Sequence, residues 1–222
     1  MDAGTNQKNA KNDCTKERIL DKAEALFALK GYDAVSVREI TAAANCNLAG
    51  VNYHFGNKQN LYLEVFRSRW LPHAIRIQEC FRESLEANGT LTPSIVVESL
   101  ARAFIEGPLS EEERKRHHRL ISGELAKPTA AFKMIADQAL RPLFENLLQD
   151  LRSALSDDIE EERLALNIFS VFGMVLCFNF ARPLISSFMG CDNDADFKGR
   201  LIDHIVEFSI NGLGAKSKET RL

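Results

Sequence analysis

The stretch from Asn45 to Tyr62, NCNLAGVNYHFGNKQNLY, carries the residues whose types and spacing are best suited to chemistry. Tyr53, His54 and Phe55 follow one another directly before a Gly-Asn break, in a segment too short for a core helix. Some of these rings can pack inward, while others can present an edge or a hydroxyl group to bases and phosphates. The pattern therefore favours a surface that binds nucleic acid.

Two short helices on either side of a tight turn must position these rings. Ser36 followed by Glu39 fits a capping box, which predicts a helix over Val37 to Ala44. Asn47 can cap the next helix, which we expect from Leu48 to about His54. This is the arrangement of a helix-turn-helix, whose second helix lies in the major groove of DNA. The two capping residues could also contact a phosphate, although capping alone explains them equally well.

Two basic residues in this region are suited to DNA. The guanidinium of Arg38 can donate two hydrogen bonds to a guanine or a phosphate, or it can be a solvated group paired with an acid. Lys58 opens the next helix, where the dipole and the outward-pointing amides favour a phosphate. Leu48 and Gly50 have no side-chain donors, so we expect apolar contacts with thymine methyl groups or a close approach of the backbone.

The run VSVREITAAANCNLAGVNYHFGNKQNLY resembles the DNA-binding domain of the TetR family of transcriptional regulators, and the resemblance covers about Thr15 to Leu63. It implies that Asn52 and Tyr53 meet bases or phosphates, although Tyr53 could equally pack inward. It also implies that His54 contacts a phosphate.

Two features depart from the family pattern. The turn is Asn45-Cys46-Asn47 where family members usually have Gly-Val-Ser, and Gly50 stands inside the recognition helix. A glycine at such a position costs up to about 1 kcal/mol relative to alanine. We expect Val51 and Phe55 to belong to the core.

The remaining chain resembles a subgroup of that family, the CecR-like regulators, through NYHFGNKQNL, LISGELAKPTAAF, LRPLFENLL and FARPL. The family resemblance implies a homodimer formed by the last two long helices, in EERLALNIFSVFGMVLCFNF and FKGRLIDHIVEFSINGL. Because one helix-turn-helix reads too few base pairs to be selective, we expect a palindromic operator.

Apolar residues three and four positions apart dominate almost every segment, which predicts an all-α fold. We expect a three-helix helix-turn-helix domain followed by a larger helical bundle for ligand binding and dimerisation. The predicted divisions are a disordered polar N-terminus over 1–14, the DNA-binding domain over 15–63, the bundle over 64–213 and a polar tail over 214–222. The helices predicted outside the motif begin at Thr15, Lys58, Pro93, Ser110, Thr129, Ile159 and Asp196, with a kink or a break at Pro72.

Two prolines suggest a ligand pocket in the bundle. Pro142 and Pro183 each lie inside a predicted helix, Thr129 to Leu155 and Ile159 to Met189, which would free the carbonyl groups four residues earlier. A pocket, a neighbouring side chain or water could satisfy these carbonyls. The candidate lining residues, each of which also fits a core or surface position, are Trp70, Phe104, His117, Glu124, Gln138, Phe178, Asn179 and Arg182. The pair His117-His118 in ERKRHHRL is expected on a solvated face.

The composition limits the other functional classes. The chain has 222 residues, of which 45% are hydrophobic, and a net charge of -3, which by itself does not indicate a nucleic-acid partner. The five cysteines form no C-x-x-C pair, so we expect reduced thiols in a cytoplasmic protein without a metal or cofactor. Polar residues interrupt the apolar run from Leu164 to Ile185, which favours a bundle helix over a membrane span.

The residues and the resemblance together predict a ligand-responsive transcriptional repressor that binds a palindromic operator as a dimer and is released by a small molecule of unknown identity. The sequence has no H-E-x-x-H, P-loop or G-x-S-x-G motif, so we do not expect an enzyme. Two alternatives are a constitutive or architectural DNA-binding protein whose body only dimerises, and an all-α enzyme or binding module without DNA binding.

Overall fold

The computed structural model describes residues 3–155, 159–190 and 195–213. Every regular element in these ranges is helical, which confirms the all-α prediction. The chain forms two compact units: the first runs to Ala74 and resumes over Leu109–Ala139, and the second covers Ile75–Pro108 and the residues from Leu140 onward. The functional division predicted at residue 64 stays a prediction, and the tail predicted over 214–222 lies outside the described residues.

The described helices follow one another with short connections, and two π-helical turns, Phe66–Trp70 and Ala136–Leu140, join α4 to α5 and α8 to α9. In chain order the α-helices are α1 (Ala3–Lys30), α2 (Val37–Ala43), α3 (Leu48–Phe55), α4 (Lys58–Val65), α5 (Leu71–Asn88), α6 (Pro93–Ile105), α7 (Glu111–Ala126), α8 (Ala130–Ile135), α9 (Arg141–Ala154), α10 (Glu161–Phe180), α11 (Arg182–Met189) and α12 (Ala195–Leu213).

Helix α1 begins earlier than the sequence predicted. The backbone of residues 3–14 is helical and continuous with the rest of α1, where we expected a disordered segment before Thr15. No proline interrupts this segment. Its residues are mostly polar, so it lacks the apolar stripe by which periodicity detects a helix.

Three prolines follow irregular turns of the helical backbone, two of them π-helical turns and the third a bend at Ala181. Pro72, Pro142 and Pro183 are each the second residue of a helix, in α5, α9 and α11. Proline has no N–H group, and the first turn of a helix is where that group is least needed. The helical backbone continues from α8 through Ala136–Leu140 into α9, so the continuous helix predicted across Pro142 is confirmed, with a π-helical turn inside it. The helix expected to kink or break at Pro72 is also continuous, with a π-helical turn just before the proline. The continuous helix predicted across Pro183 is wrong, because Ala181 leaves the helical conformation between α10 and α11.

Helix α1 is central to the first unit. It packs against α2, α3, α4 and α7, and α8 packs against α4 and α7. Ile19, Leu20 and Phe27 of α1 are buried, as are Val51 of α3 and Leu61 of α4. Full burial of such a side chain contributes roughly 1.5–3 kcal/mol. This core therefore fixes the orientation of α3, and with it the face that α3 presents to solvent.

Helix α6 is central to the second unit, where it packs against α9, α10 and α12. Helix α10 also contacts α9, α11 and α12. By length and composition alone, α10 would suit a membrane span, a test that core helices of soluble proteins also pass. Only 28% of its apolar window is buried within the chain. Much of the apolar surface of α10 therefore faces outward.

Candidate nucleic-acid interface

The turn between α2 and α3 is closed by backbone hydrogen bonds around Asn45. The Cys46 N–H donates to the Thr41 oxygen at 3.0 Å, and the Asn45 N–H donates to the Ala42 oxygen at 3.2 Å. Asn45 has a φ of 49°, in the left-handed region that Gly and Asn adopt most readily. These bonds form a Schellman motif. Asparagine therefore fills the left-handed position of a turn in which the family usually has a glycine.

Side-chain caps fix the starts of the three helices around this turn. Ser36 Oγ accepts from the Glu39 N–H at 3.1 Å, and Asn47 Oδ1 accepts from the Gly50 N–H at 2.9 Å. Asn57 caps α4 in the same way. Each cap satisfies an amide that the helix leaves without an internal partner, and is typically worth about 1 kcal/mol. The capping roles predicted for Ser36 and Asn47 are confirmed.

Helix α3 has one buried and one exposed face. Val51 is 0% exposed and Phe55 is 7% exposed, which confirms that both belong to the core. On the other side, Asn52 is exposed and Tyr53 is 75% exposed. Leu48, at the start of the helix, is also exposed. Tyr53, for which the sequence allowed either an inward or an outward position, therefore points into solvent.

Two basic residues lie on the helices before and after α3, Arg38 on α2 and Lys58 on α4. Arg38 is exposed on α2, and within the described part of the chain it belongs to no ion pair. Its guanidinium is therefore available to an external acceptor. Lys58 is half-buried at the first position of α4, with its Nζ 4.3 Å from the centroid of the Tyr32 ring.

His54 lies at the end of α3 and is half-buried. Its ring meets that of Tyr53 edge-on, with centroids 5.0 Å apart. It also lines a cleft of about 320 Å³ with Lys16, Phe55, Asn60, Leu63, Glu64 and Arg67. The sequence analysis did not identify Lys16 and Arg67, because spacing alone cannot show that basic residues on separate elements lie close together. Both form ion pairs with Glu64, at 3.6 and 2.6 Å. The net charge of the cleft is therefore less positive than its two basic side chains alone would make it.

The nine residues predicted to bind DNA therefore lie together on consecutive elements of the first unit. Six of them are exposed and three are half-buried. The exposed residues are Ser36, Arg38, Asn47, Leu48, Asn52 and Tyr53, and the half-buried ones are Gly50, His54 and Lys58. Among the described residues, no three His, Cys or acidic side chains are grouped so as to hold a metal ion.

A buried carboxylate joins α4 to the start of α8. Glu124 of α7 is 0% exposed and accepts from the Tyr62 hydroxyl at 2.7 Å. It also accepts from the N–H and the hydroxyl of Thr129, each at 2.9 Å. Burial, and then the bond to Glu124, raise the pKa of Tyr62, so its phenol remains a donor. These three bonds account for the burial of the Glu124 carboxylate, a predicted pocket residue, without a bound ligand.

Trp70 and His117 form a second buried pair. Their rings stack with centroids 4.5 Å apart and planes 5° apart, and Trp70 Nε1 donates to the His117 oxygen at 3.0 Å. His117 and His118 are both buried, so the solvated face predicted for them is wrong. The physical reason is that α7 packs against both α1 and α8. Burial lowers the pKa of His117 well below its ordinary value, and the neighbouring His118 and His73 lower it further.

The predicted pocket residues of the second unit meet at the end of α6. Asn179 Nδ2 donates to the Phe104 oxygen at 3.2 Å, and Arg182 Nη2 donates to the Ile105 oxygen at 3.0 Å. The same arginine nitrogen also donates to Asn179 Oδ1 at 2.9 Å. These side chains satisfy carbonyl groups that the end of a helix leaves without partners. Phe178 is half-buried against the ring of His204, with centroids 5.9 Å apart.

The eight predicted pocket residues are divided between the two units. Trp70, His117, Glu124 and the exposed Gln138 belong to the first, and Phe104, Phe178, Asn179 and Arg182 belong to the second. Neither unit by itself brings all eight together. A ligand pocket lined by these residues stays a prediction.

Comparisons with known proteins agree with this arrangement. Residues 19–65 match the family model of bacterial regulatory proteins of the tetR family. Residues 96–213 match the model of the C-terminal domain of the HTH-type transcriptional dual regulator CecR. The CecR protein of Shigella flexneri is 25% identical over 218 residues, which cover 93% of this chain and 96% of that protein.

Two further relatives cover different shares of the chain. The biofilm operon icaADBC HTH-type negative transcriptional regulator IcaR of Staphylococcus epidermidis is 38% identical over 47 residues, 21% of this chain and 25% of that protein. The crystal structure of HlyIIR, a hemolysin II transcriptional regulator, is 25% identical with a TM-score of 0.59, and the match covers 87% of this chain and 97% of that one. These relatives are transcriptional regulators and not enzymes. The chain belongs to the TetR family of bacterial transcriptional regulators, with a C-terminal domain of the CecR type.

Proposed function

We propose that this regulator binds operator DNA through the surface formed by α2, α3 and the start of α4, and that it acts as a repressor. The observation that carries the proposal is the sidedness of α3. Val51 and Phe55 anchor one face in the core, while Asn52 and Tyr53 stand in solvent on the other. A helix that enters the major groove needs one face buried against its own domain and an opposite face with exposed polar side chains.

Base recognition is assigned to residues of α2 and α3. Arg38 has a fork of donors that matches the acceptors of a guanine, and the amide of Asn52 matches an adenine. Leu48 offers an apolar contact to a thymine methyl group. Gly50 lets the backbone of α3 approach the DNA closely.

Phosphate contacts are assigned to the residues that surround these base-reading side chains. Tyr53 and His54 carry donors at the end of α3, and Lys58 begins α4, where the helix dipole also attracts an anion. Ser36 and Asn47 keep side-chain donors while their oxygens act as caps. These contacts would set the register of the protein without reading sequence.

Regulators of this family typically act as dimers, and we propose that α10 and α12 form the homodimer interface of this one. Leu166, Phe169 and Phe208 are 60%, 58% and 62% exposed on these helices. Large exposed apolar patches are uncommon on monomeric proteins and mark interaction surfaces. A second copy would cover them and present two recognition helices to a palindrome. The same face explains the hydropathy of α10 without a membrane, so we place the protein in the cytoplasm.

We further propose that a small-molecule effector releases the operator. The effector would favour a dimer in which the two recognition helices have a different spacing. Linkage then requires that operator DNA weaken effector binding by the same factor by which the effector weakens operator binding. If no small molecule changes operator affinity, the second unit serves only in dimerisation and the regulator is constitutive.

The test of DNA recognition is a selection of random-sequence duplexes on the purified protein at physiological salt, followed by sequencing. An enriched palindrome would support a dimeric sequence reader. Binding without sequence preference would favour an architectural protein, and no binding at any salt concentration would overturn the proposal. Specific binding should also weaken by orders of magnitude between low and moderate salt, because phosphate contacts release counterions.

A further inference from the structure

The face of the Tyr32 ring lies under the ammonium group of Lys58. Tyr32 belongs to the turn between α1 and α2, and Lys58 is the first residue of α4. The Nζ of Lys58 lies 4.3 Å from the centroid of the ring. A cation this close to an aromatic face is attracted by the negative potential of the π-system. The lysine assigned to a phosphate is therefore already oriented by a neighbour that was not assigned to DNA.

The Tyr32 ring is itself held in place by buried groups. It packs against the ring of Tyr62, with centroids 4.7 Å apart and planes 51° apart. Tyr62 is 4% exposed, and its ring also meets Phe27 and Phe66 at 4.8 and 5.0 Å. Its hydroxyl is fixed by Glu124, as described above. The support under Lys58 is thus continuous with the core of the first unit.

The acidic residue beside Tyr32 has a partner of its own. Asp33 accepts a hydrogen bond from Lys127. That bond and the charge of Lys127 lower the pKa of Asp33, and Lys58 lowers it to a smaller extent. Lys58 belongs to no ion pair in the described part of the chain, and the Tyr32 ring is the contact recorded for its ammonium group. An ammonium group that faces a ring can still donate to a phosphate, since it has three N–H bonds.

We infer that Tyr32 is a positioning residue for DNA binding, whose ring holds the Lys58 ammonium at the start of α4 where a DNA phosphate is bound. The inference rests on the proposed function. It differs from an ordinary packing role, because packing would support the whole helix-turn-helix, whereas positioning acts through Lys58 alone.

A double-mutant cycle on the full-length protein separates these two roles. The probe is the duplex enriched by selection, and its affinity is measured by fluorescence anisotropy for Tyr32→Leu, Lys58→Met and the double variant. Tyr32→Leu should weaken binding about two- to fivefold for each protomer, the range of a cation–π contact at an exposed site. It should add no further loss when Lys58 is already Met. Tyr32→Phe keeps the ring and should bind as the unchanged protein does.

The salt dependence gives a second distinction. Lys58→Met should lower the slope of log affinity against log salt by about 0.9 for each protomer, because one phosphate contact is lost. Tyr32→Leu should leave the slope unchanged, since the charge remains. Equal losses from Tyr32→Leu with and without Lys58 would overturn the inference and leave a packing role only. If the unchanged protein does not bind DNA, the proposed function itself fails.

A measurement without substitution covers the case in which Tyr32→Leu does not fold. In the NMR spectrum of the unchanged protein, the ε-methylene protons of Lys58 should be shifted upfield of those of other lysines by the ring current of Tyr32. Resonances at the ordinary lysine position would contradict the inference, whether or not the protein binds DNA.

Discussion

The helix pair α2 and α3 is stabilised by short-range polar contacts, whereas the second unit contains polar contacts between residues far apart in the chain. Around α2 and α3, each cap joins residues three positions apart, as in Ser36 with Glu39 and Asn47 with Gly50. In the second unit, Arg182 donates to Ile105, which lies 77 positions earlier in the chain. Local contacts can be recognised in a short sequence pattern, whereas distant ones exist only in the folded unit. The two regions should therefore respond differently to substitution.

The largest effect is expected at the long-range contact. Arg182→Ala should lower the free energy of unfolding by about 3 kcal/mol, because the Ile105 oxygen and Asn179 Oδ1 would lose a buried charged donor. Urea denaturation measures the change. The control is Arg200→Ala, which removes an exposed arginine paired with Asp196 one turn away and should cost less than about 0.5 kcal/mol. Equal losses of unfolding free energy from both variants would contradict the expected difference between long-range and local contacts.

The next effect concerns the outer face of the second unit. Phe169→Glu places a charge on the exposed apolar surface of α10 and should weaken dimer association by at least about thirtyfold, corresponding to about 2 kcal/mol. Sedimentation equilibrium measures it. Leu125→Glu changes an apolar residue on α7 that is 54% exposed, and should leave association unchanged. If Phe169→Glu remains as dimeric as the control, α10 is not in the interface.

A smaller effect follows from the long-range pair in the first unit. Because burial lowers the pKa of His117, the unfolded chain binds the proton more readily as the pH falls below about 6.5. Stability is therefore lost on acidification, by up to about 1.4 kcal/mol at pH 5.5 relative to pH 7.5. His117→Phe keeps a ring against Trp70 without a titrating group, and should reduce this loss in urea denaturation at the two pH values. A variant with the same pH dependence as the parent would show that His117 is not the source.

The smallest effect is expected in the local turn. Asn45→Ala should cost about 1 kcal/mol, because alanine is strained in the left-handed conformation. Asn45→Gly removes the strain and should not destabilise the protein on that account. Thermal unfolding of the two variants measures the difference. If alanine and glycine were equivalent here, the conformation of Asn45 would not matter for the turn.

Much of the surface of α2 and α3 could be predicted from sequence because its determinants are local. The caps at Ser36 and Asn47 lie next to the helices they start, and the buried positions of Val51 and Phe55 follow from helical spacing. Even the departure from the family pattern at Asn45 has a local explanation. The outward position of Tyr53 was left open, because spacing does not decide which side of a short helix is covered.

The parts that sequence did not reveal depend on distant partners or on weak patterns. His117 and His118 lie in a charged run, and only the packing of α7 against α1 and α8 buries them. Glu124 and Arg182 also bond to Tyr62 and Ile105, which lie 62 and 77 positions away, and no spacing in the sequence connects these pairs. Pro142 and Pro183 indicated irregular helices, but the pattern did not show that the first follows a π-helical turn in a continuous helix and the second follows a break at Ala181.

The most direct test of the central claim is the affinity of Arg38→Ala for the operator found by selection. Arg38 is exposed on α2 and belongs to no ion pair in the described part of the chain. Its loss should weaken operator binding by about 5- to 150-fold, the range for a bidentate base contact, while unfolding stays unchanged. Arg119→Ala, an exposed arginine on α7, is the control and should bind normally. Undiminished binding by Arg38→Ala, or an equal loss in both variants, would contradict the account.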